Sequence, residues 1–318
     1  MPVAGPDEVL LRMRRVGLCG TDYHIYAGNQ PFLAYPRVMG HELAGEVISA
    51  PAGSSLREGQ VVTVNPYLAC GQCRACARGK PNCCTNISVL GVHADGGMCD
   101  HLAVPESAVV DATGLTLDQA AMVEFLAIGA HAVARAKVAA GDRVLIVGAG
   151  PIGVAAGLFA RADGADVTII DVREARLERA RSKLGFTAAF ALGPDLRDRL
   201  AHITEGEFFD CVFDATGNLP AMCGGLDYLA HGGTYCLISV VKGDLVFSDP
   251  EFHKRETTLI GSRNALSSDF VRVIAAIRDG VIPTGELHTH SVDADHLPVR
   301  MPELIAEAEY VLKAIAVL

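Results

Sequence analysis

Apolar side chains along roughly the first 110 residues come in short runs, separated by turns that carry glycine and proline. EVLLRMRRVGLC, LAGEVIS, QVVTV and CDHLAVP alternate or run apolar over strand lengths, with no long helical period. From about residue 117 the pattern changes to strands alternating with helix-length segments, which predicts a parallel sheet with crossover helices. RVLIVG, DVTIID, FFDCVFDA and GTYCLIS read as its strands, apolar enough for a sheet covered on both faces. PIGVAAGLFARADG and REARLERARSKLG read as helices, the second ended by Gly185. The last fifty or so residues pair a helix, SSDFVRVIAAIRDG, with a strand, YVLKAIAVL, that could return to the first domain. There is no internal repeat and no low-complexity tract.

A chain of 318 residues, half of them hydrophobic, is long enough for two domains with filled cores. No run of eighteen uncharged apolar residues occurs, so no membrane span is expected. The opening MPVAGPDEV lacks the basic and apolar segments of a signal peptide. A net charge of −10 argues against a general affinity for nucleic acid or anionic membrane. A cytoplasmic protein is expected, and there disulfides are rare. Five of the ten cysteines fall between Cys70 and Cys84, which suits metal binding better than disulfides.

RVLIVGAGPIG sets Gly148, Gly150, Ile152 and Gly153 directly after a strand and at the mouth of a helix. Glycines there permit a tight turn and close approach of backbone to a pyrophosphate, and the helix N-terminus supplies unpaired N–H groups. Asp171 ends the next strand, twenty-one residues beyond Gly150, where a carboxylate can accept ribose hydroxyls. It would repel a 2′-phosphate, so NAD is expected over NADP; Arg173, two residues on, pulls the other way.

CGQCRACARGKPNCC offers Cys70, Cys73, Cys76 and then Cys83 or Cys84. Four converging thiolates with no open position make a structural zinc site. A second metal set is scattered. GLCGTDYHIY supplies Cys19, Thr21, Asp22 and His24; YPRVMGHELAGEV supplies His41 and Glu42; MVEFLAIGAHA supplies Glu124 at a helix start. Adjacent strand residues point to opposite faces, so His41 and Glu42 can share a task only where the backbone bends, and Gly40 supplies the bend. Sulfur, imidazole and carboxylate together suit zinc with room for a substrate oxygen, a Lewis acid that lowers an alcohol's pKa for hydride loss.

With these stretches in this order, the chain resembles the zinc-dependent medium-chain alcohol dehydrogenases, in the branch with sorbitol, threonine and sugar-acid dehydrogenases. GLCGTDYHIY, YPRVMGHE, the CxxCxxCx₇C lobe, VEFLAIGAHA and VGAGPIG carry the resemblance over nearly the whole chain. It implies an α/β fold: a GroES-like, partly open β-barrel catalytic domain plus a doubly wound Rossmann coenzyme domain. The expected boundaries are 1–129 with 266–318 returning, and 130–265. It implies two zinc ions and NAD. Cys19 and His41 would hold the catalytic ion, with Glu42 and Glu124 completing its shell or exchanging with water. Cys84 would be the fourth structural ligand, leaving Cys83 spare. Thr21 falls at the relay hydroxyl, His24 at the relay histidine, and Asp22 where a carboxylate would orient His41.

LGVHADGG and LIGSRNALSSDF look most like the dehydrogenases acting on gulonate or galactonate. His93 would either touch substrate hydroxyls or order its turn. Arg263 would meet either a substrate carboxylate or the cofactor. Family members usually begin with about twenty further residues forming a first hairpin, so either the start at MPVAGPDEV is misassigned or a truncation is expected to leave a sheet edge uncovered. The expectation is therefore NAD- and zinc-dependent oxidation of a secondary alcohol, a sugar acid or polyol, by a homodimer or homotetramer. Threonine 3-dehydrogenase or a sorbitol-type enzyme is the alternative within the class. Outside it stand an NAD-binding sensor without turnover, disfavoured by the retained Thr21 and His24, and a zinc-ribbon nucleic-acid binder, disfavoured by the acidic balance.

Overall fold

The computed structural model describes residues 1–28 and 33–318. Two compact units emerge, one formed by Met1–Ala127 with Asn264–Leu318 and the other by Ile128–Arg263. Among the described residues no helix is long and apolar enough to cross a membrane.

The first unit is built on β1 (Glu8–Leu18), in which Val9, Leu11, Met13, Val16 and Leu18 are buried while Arg12 is exposed. A short helix follows, α1 (Gly20–Tyr26), then β2 (Glu42–Ser49), β3 (Val61–Val64), the small hairpin pair β4 (Tyr67–Leu68) and β5 (Ser88–Val89), β6 (His101–Pro105) and β7 (Val109–Asp111). The sequence pattern contains no sign of α1, because seven residues are too few to display a helical period. Helix α2 (Val123–Ala136) starts in this unit and continues into the second.

The second unit is a six-stranded parallel sheet. Its strands are β8 (Arg143–Val147), β9 (Asp166–Asp171), β10 (Ala188–Ala191), β11 (Phe209–Asp214), β12 (Leu229–Leu237) and β13 (Thr258–Gly261). Their spatial order is β10-β9-β8-β11-β12-β13, so strand succession reverses between β8 and β11. Ligands of such sheets bind outside the carboxyl ends of the strands at that switch point. Helix α3 (Pro151–Ala162) opens immediately after β8, with Gly150 as its N-cap and Pro151 in its first turn. Helix α4 (Glu174–Ser182) follows β9. β13 lies in a stretch, LIGSRNALSSDF, that carries no alternation to announce a strand.

The chain then returns to the first unit through helix α5 (Ser267–Arg278), β14 (His288–Asp293) and β15 (Lys313–Val317). These complete a seven-stranded sheet of order β14-β15-β1-β2-β3-β7, with β6 paired to β1. β1 is thus its hub, antiparallel to β2, β6 and β15. Among the described strands β6 pairs with β1 alone. Leu11, Leu43, Val62, Val64, Leu304 and Ala314 fill the core against this sheet, each large aliphatic worth about 1.5–3 kcal/mol on burial.

Candidate active site and metal centres

The approach to His41 is held by another loop. Gly96 and Met98 donate backbone hydrogen bonds to Val38 and Met39 carbonyls at 2.8 and 3.0 Å, and Gly97 donates to Gly40 at 3.0 Å. Asp95 Oδ1 accepts from the Val38 N–H at 3.1 Å and from Arg37 Nη1 at 3.0 Å. The Val38 N–H first, and Arg37 second, hold this carboxyl below its usual range. Gly40 sits at φ +95°, and a side chain there would press a Cβ to 2.7 Å from Val16 Cγ1. The bend expected of Gly40 is present. LGVHADGG is the cradle that receives it, and His93 serves its own turn: Nδ1 accepts the Val89 N–H at 3.1 Å, with the ring exposed.

Cys19 is the N-cap of α1. Its Sγ accepts the Thr21 N–H at 3.2 Å, and Asp22 Oδ2 accepts the Cys19 N–H at 2.9 Å. This reciprocal cap explains a helix too short to stand by itself. It also aims the sulfur: Cys19 Sγ lies 3.1 Å from His41 Nε2. Burial pushes the Cys19 thiol up. Burial opposes a charged His41, yet Cys19 and Asp22 beside it raise the imidazole well above its ordinary range. Asp22 is fully buried, its Oδ1 has no partner, and neither has His41 Nδ1. Asp22 thus clamps Cys19 and makes no hydrogen bond to His41. Thr21 and His24 stand three residues apart on α1, hence on one face, with His24 exposed.

Ligand atoms of His41, Glu42 and Glu124 lie within 4.8 Å of one another, as do those of Cys19, Asp22 and His41. A thiol, an imidazole and carboxylates converging in a buried place fit zinc. Each glutamate has its own partner. Lys313 Nζ donates to both Glu42 oxygens at 2.6 Å. The Tyr67 hydroxyl donates to Glu124 Oε1. Burial pushes the Glu124 carboxyl up to about 7. Tyr67 and Lys313 were not singled out from sequence. The one signal for Lys313 is a lone cation inside the apolar run YVLKAIAVL.

The cysteine lobe closes on four sulfurs. Cys73 Sγ lies 3.5 Å from Cys76 Sγ and 3.9 Å from Cys84 Sγ, and Cys84 lies 3.4 Å from Cys70. Cys83 is exposed outside the group, so geometry decides between it and Cys84. The Cys76 backbone N–H chiefly pulls Cys73 down to about 5, which readies a thiolate for a metal.

In the parallel sheet, Gly148 adopts φ +102°, and a Cβ at Gly153 would strike the Gly148 carbonyl oxygen. Asp171 grips the turn: Oδ2 accepts the Ala149 N–H at 2.7 Å and Oδ1 accepts the Arg173 N–H at 2.8 Å. Ile152 is half-buried, while the Arg173 and Arg263 side chains are exposed. A further cation, Arg176, was missed in the sequence. Its Nη1 lies 4.0 Å from Asp171 Oδ2, and a Cβ on Gly150 would lie 3.4 Å from it.

Comparison with known proteins decides the family. The model of the alcohol dehydrogenase GroES-like domain matches residues 5–114, and that of the zinc-binding dehydrogenases matches residues 151–279. L-Galactonate-5-dehydrogenase of Escherichia coli K12 is 45% identical over 291 residues, covering 91% of this chain and 86% of its own length. The chain belongs to the zinc-type medium-chain alcohol dehydrogenases. The solved structures similar to it include the E. coli CFT073 alcohol dehydrogenase RspB complexed with NADH, at 27% identity and TM-score 0.92, covering 100% of this chain and 94% of that one. They also include L-idonate 5-dehydrogenase of E. coli K-12, at 26% identity and TM-score 0.87, covering 99% and 92%. The first unit of this zinc-type dehydrogenase is therefore its GroES-like part, and the parallel sheet its Rossmann part, as expected from the sequence.

Proposed function

We propose that this dehydrogenase oxidises a secondary alcohol of a sugar acid or polyol, with zinc held by Cys19 and His41 and NAD as hydride acceptor. The contact of Cys19 Sγ with His41 Nε2, in a chain that also carries the Asp171-gripped glycine turn, is the observation that supports it most. The substrate class follows the L-galactonate-5-dehydrogenase relative, which is 45% identical over 91% of this chain.

Bound zinc supplies the Lewis acidity that lowers a substrate hydroxyl's pKa. The remaining work falls to the chain. Cys19 and His41 hold the ion, positioned by the α1 cap and the Gly40 bend. Thr21 takes the proton from the hydroxyl, and His24, exposed on the same helix face, delivers it to solvent. Gly148, Gly150, Ile152 and Gly153 cradle the pyrophosphate. Asp171 accepts the adenosine ribose hydroxyls, with Arg173 and Arg176 as nearby cations, and Arg263, which follows β13, meets either the cofactor elsewhere or a substrate carboxylate. Cys70, Cys73, Cys76 and Cys84 hold a second, structural zinc. Ten unpaired cysteines suit a reducing cytoplasm, where the enzyme works as a homodimer or homotetramer.

A screen of NAD reduction over aldonates, polyols and threonine tests the reading. Turnover of an aldonate or polyol above threonine is expected. Tight NAD binding with no alcohol turned over favours a sensor instead.

A further inference from the structure

Two strand-ending aspartates flank β8 in the parallel sheet, Asp171 on β9 and Asp214 on β11. Both fasten the backbone beyond their strands, but they differ in access. Asp171 keeps 6% of its surface exposed and Asp214 none, so no coenzyme atom can touch Asp214.

The side-chain bonds of Asp214 all pass through one oxygen. Oδ1 accepts the Thr216 N–H at 2.9 Å, the Thr216 hydroxyl at 2.8 Å and the Ser239 hydroxyl at 3.4 Å. Among the described residues Oδ2 has no partner. Each hydroxyl accepts in its turn: Thr216 Oγ1 takes the Asn218 N–H at 3.1 Å, and Ser239 Oγ takes the Gly217 N–H at 2.8 Å. Asn218 then caps the short helix Leu219–Gly224 by accepting the Ala221 N–H at 3.1 Å. The Asp214 carbonyl accepts the Ile238 N–H at 3.0 Å. One residue thus ties the loop after β11 to the loop after β12. The β11 loop also abuts the glycine turn: the Ala215 N–H donates to the Val147 carbonyl at 2.9 Å, and a Cβ on Gly148 would lie 3.3 Å from the Ala215 carbonyl and the Thr216 methyl.

Asp171 and the turn after β8 account for the adenosine ribose and the pyrophosphate of NAD. The order β9-β8-β11-β12 then carries the other half of a dinucleotide across the switch point, over the ends of β11 and β12. Those ends are the loops that Asp214 ties.

We propose that Asp214 is a positioning residue for the coenzyme: through Thr216 and Ser239 it fixes the β11 and β12 loops as the seat of the nicotinamide half. The proposal rests on the reading of the glycine turn and Asp171 as an NAD site. Loops held beforehand need no ordering when the coenzyme arrives.

ADP against NADH provides the test, since ADP carries only the adenosine and the diphosphate. Both are titrated calorimetrically into the full-length, zinc-loaded protein, so no turnover is needed. Asp214→Ala leaves the Thr216 N–H and hydroxyl without their acceptor, and the Kd of NADH is expected to rise at least about tenfold. The Kd of ADP should stay within about threefold of wild type, because its seat on Asp171 and the glycine turn is kept. Asp214→Asn, which retains one oxygen for the same donors, should recover most of the NADH affinity. Equal weakening of ADP and NADH, or NADH binding unchanged, overturns the proposal. Where Asp214→Ala does not fold, Ser239→Ala decides, because it cuts only the rung between the two loops. The same split between NADH and ADP is expected there, and its absence overturns the proposal. Wild-type protein that binds neither ligand overturns the underlying coenzyme reading instead.

Discussion

Cys19 and His41 stand twenty-two residues apart in the chain, yet the sulfur of one lies 3.1 Å from Nε2 of the other. Two independent local devices meet there. A capped seven-residue helix turns Cys19 inward, and a glycine in the left-handed region turns His41 towards it. Either device is weak alone, and the loop from Gly91 to Met98 secures the second.

Two metals with different exchange behaviour are expected. Elemental analysis should find two zinc ions per chain. A mild chelator should remove one of them with loss of activity, while the ion on Cys70, Cys73, Cys76 and Cys84 exchanges slowly because no water position is open. Active protein with one zinc or none would contradict this.

The proton path separates an enzyme from a sensor. Thr21→Ala should cut turnover by roughly 10²–10⁴-fold, the usual worth of a positioned proton transfer, with zinc content and NAD affinity near wild type. His24→Gln should cost less, because the ring is solvent-facing, and small exogenous bases should recover part of the rate. Full turnover in Thr21→Ala would remove the hydroxyl from the path.

Coenzyme choice should respond to Asp171. Asp171→Asn keeps one oxygen for the Ala149 N–H but removes the charge that repels a 2′-phosphate. The ratio of kcat/KM with NAD to that with NADP should fall by at least about tenfold, equivalent to about 1.4 kcal/mol. A wild type that already favours NADP would show that Asp171 does not select the coenzyme.

Acid should loosen the cradle of His41. Asp95 has its carboxyl pKa lowered in the folded chain, so its contribution to stability is complete above the ordinary carboxylate value of about 4 and is lost as pH falls through the lower folded value. Asp95→Asn should therefore lower the urea midpoint at pH 7, and the gap to wild type should close towards pH 3. A gap of equal size at both pH values would mean that the Asp95 charge has no part in holding Val38 and Arg37.

The readable parts of this molecule are those whose physics is local. The glycine turn after RVLIVG, the four-thiol lobe and the strands β1, β2, β3, β6, β8, β9, β11 and β12 each follow from spacing within a few residues, where turn sterics, thiolate convergence and apolar periodicity act. Strands β4, β5, β7 and β10 are too short to show a pattern. The short helix α1 lay below the length at which a period shows, and β13 carried no alternation to betray it. Cys19, His41 and Glu124 could be named as a set from family resemblance, but their convergence depends on three separate elements. Lys313 with Glu42 and Tyr67 with Glu124 lie further beyond reach, because their partners are 271 and 57 residues away. Sequence by itself determined which donors, turns and strands the chain possesses. Only the register of β15 on β1 and of β1 on β2 decided which carboxylate received a cation, since a buried charge must pair with whatever the neighbouring strands bring within reach.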